Sequence, residues 1–115
     1  MTVENKPIDV GFLKSIVEDD IDFRKELFEI FTSSAKNHLE KMEIAIKTND
    51  TNSWYMASHA FKGAAASIGA FELSKLLEYA QKHTEDNGSE KGNLLESVKK
   101  ELEQVLAFIK SDLLS

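Results

Sequence analysis

The sequence predicts an all-α protein, an antiparallel up-down-up-down four-helix bundle with a short additional N-terminal helix. Apolar residues recur at spacings of three and four along most of the chain, which is the period of a helix. No window shows the sustained alternation that marks a strand, and the turns between periodic segments are short. We expect a single domain over residues 1–115, because this length supports one core and no Pro/Gly-rich linker divides it.

The first two helices are predicted from their caps and apolar faces. The first is expected to start at Pro7 and Asp9, to end near Glu18 and to cover one end of the bundle. Asp19 or Asp20 is expected to cap the second helix, which runs to about residue 47. The apolar faces comprise Ile8, Phe12, Leu13, Ile16 and Val17 in the first helix, and Leu27, Phe31, Ala35, His38, Met42 and Ala45 in the second.

The third helix is predicted to follow a turn at residues 48–50. Asp50 or Thr51 is expected to cap it, because both side chains can accept hydrogen bonds from free N–H groups. Gly69 follows the helix, where a left-handed glycine commonly ends one. Its apolar stripe consists of Trp54, Ala57, Phe61, Ala65 and Ile68.

The fourth and fifth helices are predicted on either side of the polar segment 86–89, Asp-Asn-Gly-Ser. Asn93 and Glu96 have the spacing of a capping box at the start of the last helix. The apolar stripes comprise Leu73, Leu76, Leu77, Ala80 and Thr84 in the fourth helix, and Leu95, Val98, Leu102, Val105, Ile109 and Leu113 in the fifth.

Composition argues against several classes of function. The formal net charge of -6 disfavours binding to nucleic acid or to an anionic membrane surface. The sequence has no cysteine, and its three histidines lack metal-ligand spacing, so neither a metal site nor a cofactor of its own is expected. We expect a cytoplasmic location, since neither a signal-peptide pattern nor a membrane-length apolar run occurs, and a monomer, since no second apolar face is obvious.

The third helix carries the informative segment, which reads HAFKGAAASIGA over residues 59–70. At about 100° per residue, His59 lies about 150° from the centre of the apolar stripe. We therefore expect the imidazole to face solvent. Lys62, Gly63 and Ala66 share its side of the helix, because they follow it by three, four and seven residues.

The neighbours of His59 suit a phosphoryl carrier. Gly63 costs about 1 kcal/mol relative to alanine inside a helix and caps nothing, but it leaves room for another protein to approach. Lys62 can offset the charge of an attached phosphoryl group. Histidine ordinarily has a pKa of about 6.5, which leaves a neutral, nucleophilic fraction at cellular pH. The attacking nitrogen must be unprotonated, so we expect the other nitrogen to donate its proton to an acceptor from the fourth helix.

The segment resembles the motif of the histidine phosphotransfer (HPt) domain family of two-component phosphorelays. In that motif a histidine is followed by Lys-Gly at three and four residues, then by small residues and a glycine after an aliphatic one. The matching residues are His59, Lys62, Gly63, Ala64, Ala65, Ala66, Ser67, Ile68 and Gly69, and the likeness continues into Leu73, Leu76, Glu78 and Gln81. Helix number and order also agree along nearly the whole chain.

The resemblance implies that His59 accepts a phosphoryl group from the aspartyl phosphate of a receiver domain and passes it to another response-regulator receiver. Lys62 would lie near the phosphate, and Gln81 falls where some members have a polar side chain that orients the histidine. The protein would be a carrier and not an enzyme, and the receiver would supply Mg²⁺. Its partners would be response-regulator receivers and a hybrid sensor kinase.

A related group, the N-terminal domains of chemotaxis kinases, shares the histidine motif but tends to have His and Glu at the positions of Glu78 and Gln81. The chain departs from that pattern and holds one bundle. We therefore expect a free-standing HPt protein and not a kinase fragment.

Each of these residues also has an ordinary interpretation. His59 taken alone is a surface histidine, Lys62 a solvated charge, Gly63 a site of close helix packing and Gln81 a plain polar residue. The competing functions are an interaction module that needs no phosphorylation and a four-helix metal or cofactor protein. The metal or cofactor protein is disfavoured, because the sequence lacks the Glu-x-x-His pair that such bundles present on facing helices.

The two other histidines are assigned to the structure and not to the site. His38 lies in the apolar stripe of the second helix, so we expect it to be partly buried. His83 lies near the end of the fourth helix, where a cation interacts favourably with the helix dipole.

Overall fold

The computed structural model describes residues 6–17 and 20–113, with only the backbone of residues 112 and 113. Every regular element in these ranges is helical, as the sequence predicts. The elements are α1 (Val10–Val17), α2 (Ile21–Thr48), α3 (Thr51–Ser67), α4 (Phe71–Lys82), α5 (Gly88–Phe108) and a π-helical turn (Ile109–Leu113). None of the described helices is long and apolar enough to cross a lipid bilayer.

Helix α1 starts after Asp9, whose side chain accepts a hydrogen bond from the backbone N–H of Phe12 at 3.0 Å. The predicted end near Glu18 lies outside the described residues. Phe12 and Ile16, which were expected on the apolar face, are 36% and 47% exposed. A helix this short buries one narrow face, which is that of Leu13 and Val17. The Phe12 ring instead packs edge-on against Phe71 of α4, with ring centroids 5.1 Å apart.

Side chains from the preceding turns cap α2 and α3. Asp20 accepts a hydrogen bond from the N–H of Phe23 at 3.0 Å, while Asp19, the alternative cap, lies outside the described residues. Asn49 adopts the left-handed conformation, with φ 53°, and ends α2. Asp50 then caps α3 through the N–H of Ser53 at 3.0 Å. These caps confirm the predicted turn at residues 48–50.

Gly69 ends α3 with φ 81°, as predicted for a left-handed residue. A Cβ atom at this position would lie 3.1 Å from the backbone oxygen of Asp9 and 3.1 Å from Cδ2 of Phe12. The backbone N–H of Asp9 also donates to the carbonyl of Gly69 at 2.9 Å. The glycine therefore serves both the turn and the close approach of the segment before α1.

Two predictions for the last helices are wrong. Helix α4 ends at Lys82, so Thr84 is not part of it. The capping box that begins α5 is formed by Asn87 and Glu90, and not by Asn93 and Glu96. The helix starts earlier than its apolar pattern indicates because Lys91 is buried in its first turns, with Nζ 5.2 Å from the centre of the Trp54 ring.

The long helices surround one core. Helix α2 packs against α3 and α5, and α4 also packs against α3 and α5. The indole N–H of the fully buried Trp54 donates to the carbonyl of Ala80 at 2.8 Å. Because this bond joins α3 to α4, it fixes which residues of the two helices face each other. The largest fully buried side chains are Trp54, Phe28, Phe61, Ile8, Leu13, Met42, Ile68, Leu73 and Leu77.

Candidate functional site

His59 lies in the middle of α3 and is exposed. The predicted stripe on the opposite side of this helix is buried, from Trp54 through Phe61 to Ala65. The imidazole therefore faces solvent, as the helical period predicts. Its backbone is held in place by a rigid, core-packed helix and not by a loop.

One nitrogen of His59 has a partner on α4. Nδ1 lies 3.3 Å from Oε1 of Gln81, a geometry in which Nδ1–H donates to the amide oxygen. No described residue forms a hydrogen bond to Nε2. With the proton on Nδ1, Nε2 keeps its lone pair and is open to solvent. The structure thus brings Gln81 beside His59.

Tyr55 completes a small polar network at this site. It lies one turn before His59, and the two rings are parallel within 3° with centroids 6.0 Å apart. The amide nitrogen of Gln81 donates to the Tyr55 hydroxyl at 3.3 Å. Sequence reasoning did not single out Tyr55, although its offset of four residues from His59 places both on one face of α3.

The surface beside His59 is low. A Cβ atom built on Gly63 would meet nothing within 4 Å, so this glycine is not required for packing inside the chain. Ala66 continues the same face one turn further. Lys62 is half-buried, and no ion pair of the described residues engages it. Its ammonium group is available to a ligand that carries negative charge.

A groove runs along α3 next to this low surface. It lies between α2 and α3 and has a volume of about 630 Å³. Met56 and Ile44, which are 60% and 50% exposed, line it together with Ala60, the residue that follows His59. The groove thus places two exposed apolar side chains close to the polar site.

Comparison with protein families assigns the fold. The model of the Hpt domain matches residues 26–108. The chain belongs to the Hpt domain family. The match extends from α2 to the end of α5 and includes both His59 and Gln81. Comparisons with curated proteins and with solved structures gave no match. Hpt domains are phosphocarrier modules of two-component phosphorelays that interact with receiver domains, and they are not kinases.

A second candidate imidazole in this Hpt domain, that of His83, has a different environment. It is half-buried at the end of α4, and Nδ1–H donates to the backbone carbonyl of Tyr79 at 2.7 Å. Its ring stacks on that of Tyr79 with centroids 3.7 Å apart, so one face is covered. It therefore offers less access than His59.

His38 is a structural residue, as the sequence predicts. It is half-buried, and its ring packs against Phe61 with centroids 5.6 Å apart. Nε2 lies 3.0 Å from the hydroxyl of Ser34. Burial, with a smaller contribution from the charge of Lys41, lowers the pKa of His38 below its usual value.

The described part of the Hpt domain contains no group of three or more His, Asp or Glu side chains arranged to hold a metal ion. The candidate site consists of three polar side chains, those of His59, Gln81 and Tyr55, beside a bare helix face that carries Lys62 and Gly63.

Proposed function

We propose that the protein accepts a phosphoryl group on Nε2 of His59 from a receiver-domain aspartyl phosphate and passes it to another response-regulator receiver. The observation that carries this proposal is the exposed imidazole whose Nδ1 is bound by Gln81 and whose Nε2 is free. Membership of the Hpt domain family supports the class of reaction. That both the donor and the acceptor are receiver domains belongs to the same proposal.

In the proposed transfer, the lone pair of Nε2 attacks phosphorus while the bond between phosphorus and the aspartyl oxygen breaks. The electron pair of that bond remains on the aspartate as a carboxylate. The imidazole becomes positively charged, keeps its proton on Nδ1 and continues to donate it to Oε1 of Gln81. The reverse transfer benefits from the same hydrogen bond, because a protonated ring is the better leaving group. Orienting the ring in advance lowers the entropic part of the barrier.

The surrounding residues have distinct proposed roles. Lys62 offsets part of the negative charge of the phosphoryl group, and Gly63 gives the receiver access to Nε2. The receiver supplies Mg²⁺ together with its own acidic side chains, so the Hpt domain needs no cofactor. The groove lined by Ile44 and Met56 supports docking of a receiver next to His59.

The same proposal covers the arrangement of the helices, the upstream partner and the state of the protein in the cell. The contacts of α3 with α2 and α4, and of α5 with the same two helices, support an antiparallel up-down-up-down bundle. The hydrogen bond from Asp9 to Gly69 and the contact of Phe12 with Phe71 support the placement of α1 over one end. A hybrid sensor kinase is the proposed upstream partner. We also propose that the protein acts as a monomer in the cytoplasm, where it carries phosphoryl groups without catalysing their transfer from ATP.

The test is transfer from phosphorylated receiver domains in the presence of Mg²⁺. Wild-type protein should acquire an acid-labile, base-stable phosphoryl group, and His59→Gln should lose nearly all of it, since no other described imidazole combines a free nitrogen with an open helix face. His83→Gln is the matched control and should label like wild type. Equal labelling of wild type and His59→Gln, or no labelling by any of a panel of receivers, would instead favour an interaction module that needs no phosphorylation.

A further inference from the structure

We propose that Tyr55 is a positioning residue that acts on His59 through Gln81. The inference rests on the proposed function of His59 but concerns a side chain that neither the motif nor the family match singles out. Its basis is the pair of hydrogen bonds made by one amide. Gln81 accepts from Nδ1 of His59 at 3.3 Å and donates to the hydroxyl of Tyr55 at 3.3 Å.

The backbone brings the three side chains together. Trp54 and Ala80, the neighbours of Tyr55 and Gln81 in sequence, are joined by the buried hydrogen bond between the indole N–H and the backbone carbonyl. That bond fixes the register of α3 against α4. Tyr55 and Gln81 therefore face each other above a rigid contact, and His59 lies one helical turn further along α3.

A glutamine amide has an acceptor end and a donor end, and the two differ in their consequences for His59. When Oε1 faces the ring, it favours the tautomer with the proton on Nδ1 and leaves Nε2 nucleophilic. If the amide is reversed, its NH₂ group faces Nδ1 and favours the tautomer with the proton on Nε2, which cannot attack phosphorus. The position and orientation of the Gln81 amide therefore influence which nitrogen of His59 can attack phosphorus.

Tyr55 restrains this amide by accepting a hydrogen bond from its NH₂ end. Gln81 is only half-buried, so without the hydroxyl its amide loses one of its two partners and spends less time against Nδ1 of His59. The direct contact between the tyrosine and histidine rings is weaker, because their centroids are 6.0 Å apart. The influence of Tyr55 on His59 thus passes through the amide and not through stacking.

The test removes the hydroxyl alone. In Tyr55→Phe, the ratio of Nδ1–H to Nε2–H tautomers of neutral His59 should fall about two- to fivefold, the range expected for one partly exposed neutral hydrogen bond. Long-range ¹H–¹⁵N spectra of unphosphorylated protein in alkaline buffer measure this ratio. Tyr79→Phe is the matched control, since Tyr79 also precedes a histidine by four residues, and it should leave the His59 spectrum unchanged.

A double-mutant cycle separates positioning from a merely structural effect. Gln81→Met keeps a long side chain but removes both ends of the amide. In that background, Tyr55→Phe should have no further effect on the His59 tautomer, because the residue through which it acts is gone. An unchanged ratio in Tyr55→Phe, or an equal shift with and without Gln81, would overturn the proposal.

The rate of phosphoryl transfer provides the functional readout. Transfer from a receiver should slow in Tyr55→Phe in proportion to the measured loss in the fraction of the Nδ1–H tautomer, and by no more than the about two- to fivefold change in the tautomer ratio. Because the spectra are taken without phosphate or receiver, they report on Tyr55 even if His59 carries no phosphoryl group. A tautomer shift without any transfer in wild type would therefore refute the carrier function and retain the positioning role.

Discussion

Two turns of this protein share a local pattern but differ in what surrounds it. Tyr55 precedes His59 by four residues in α3, and Tyr79 precedes His83 by four residues at the end of α4. In both, Nδ1 has an oxygen partner. The partner is the amide of another helix for His59 and a backbone carbonyl of the same helix for His83. An imidazole with a bound Nδ1 is therefore not enough to define a carrier site.

The decisive differences are access and the kind of partner. The ring of His83 stacks on Tyr79 at 3.7 Å, whereas His59 stands 6.0 Å from Tyr55 and has the bare surface of Gly63 one turn away. A side-chain amide can respond to changes in its partner, but a helix carbonyl is fixed by the backbone. The residues around the histidine therefore determine its suitability as a carrier as much as the imidazole ring does.

Among substitutions that leave His59 in place, the largest effect should come from removing the access that distinguishes this residue. Gly63→Gln is expected to slow transfer from a receiver by about tenfold or more, equivalent to about 1.4 kcal/mol in the barrier, because its side chain occupies the docking face. The fold should tolerate the change, since no atom lies within 4 Å of the added Cβ. Stability should rise by up to about 1 kcal/mol, because glycine is unfavourable inside a helix. Quenched phosphotransfer assays measure the rate of transfer, and thermal denaturation measures the stability.

Gly92→Gln provides the control for this prediction. Gly92 also lies inside a helix, α5, and a Cβ atom there would likewise meet nothing within 4 Å. The substitution should stabilise the protein without slowing transfer. Phosphoramidate, a small phosphoryl donor, should label His59 equally in both variants. Equal transfer rates from a receiver to the two glycine variants would show that the receiver does not need the bare surface at Gly63.

A smaller effect is expected from the charge next to His59. Lys62→Gln should slow transfer about two- to fivefold, because a partly exposed cation contributes modestly to binding an anion. The control is Lys75→Gln on α4, whose ammonium group is paired with Glu72 at 3.1 Å and should not affect transfer. The initial rates of phosphorylation by one receiver give the comparison. Identical rates for the two lysine variants would assign Lys62 to the solvated surface.

The smallest effect concerns the third histidine, whose ring packs against the core. Because burial lowers the pKa of His38, the unfolded chain binds a proton more readily than the native protein does. The free energy of unfolding should therefore fall as the pH drops below about 6.5, the ordinary value. Urea denaturation at about pH 7.5 and about pH 5.5 should show a smaller loss in His38→Gln than in wild type. An unchanged loss in that variant would show that His38 does not contribute to the pH dependence.

Much of the fold follows from the helical period, and the reasons for the failures are specific. The stripe from Trp54 to Ile68 is buried as predicted, because continuous apolar spacing leaves one way to orient α3. The sequence places the start of α5 too late because Lys91 reads as a surface charge, although it is buried with Nζ over the Trp54 ring. The sequence predicts Phe12 on the apolar face of the first helix, because a helix this short has too few residues to define which side is buried.

The site was predictable to the extent that it lies on one helix. The positions of His59, Lys62 and Gly63 follow from spacing along α3 alone. Gln81 was proposed only through the family resemblance, since its 3.3 Å contact with His59 depends on how α4 packs. Tyr55 was missed because its partner belongs to a different helix, and sequence spacing does not reveal which residues of two helices meet.

The most direct measurement is the location of the phosphoryl group after transfer from a receiver. In ³¹P and ¹⁵N spectra of the intact, uniformly ¹⁵N-labelled protein, the group should be bonded to Nε2 of His59, with Nδ1 still facing Gln81. His83 should remain unmodified. Phosphorus on Nδ1 of His59, or on either other histidine, would contradict the proposed carrier site.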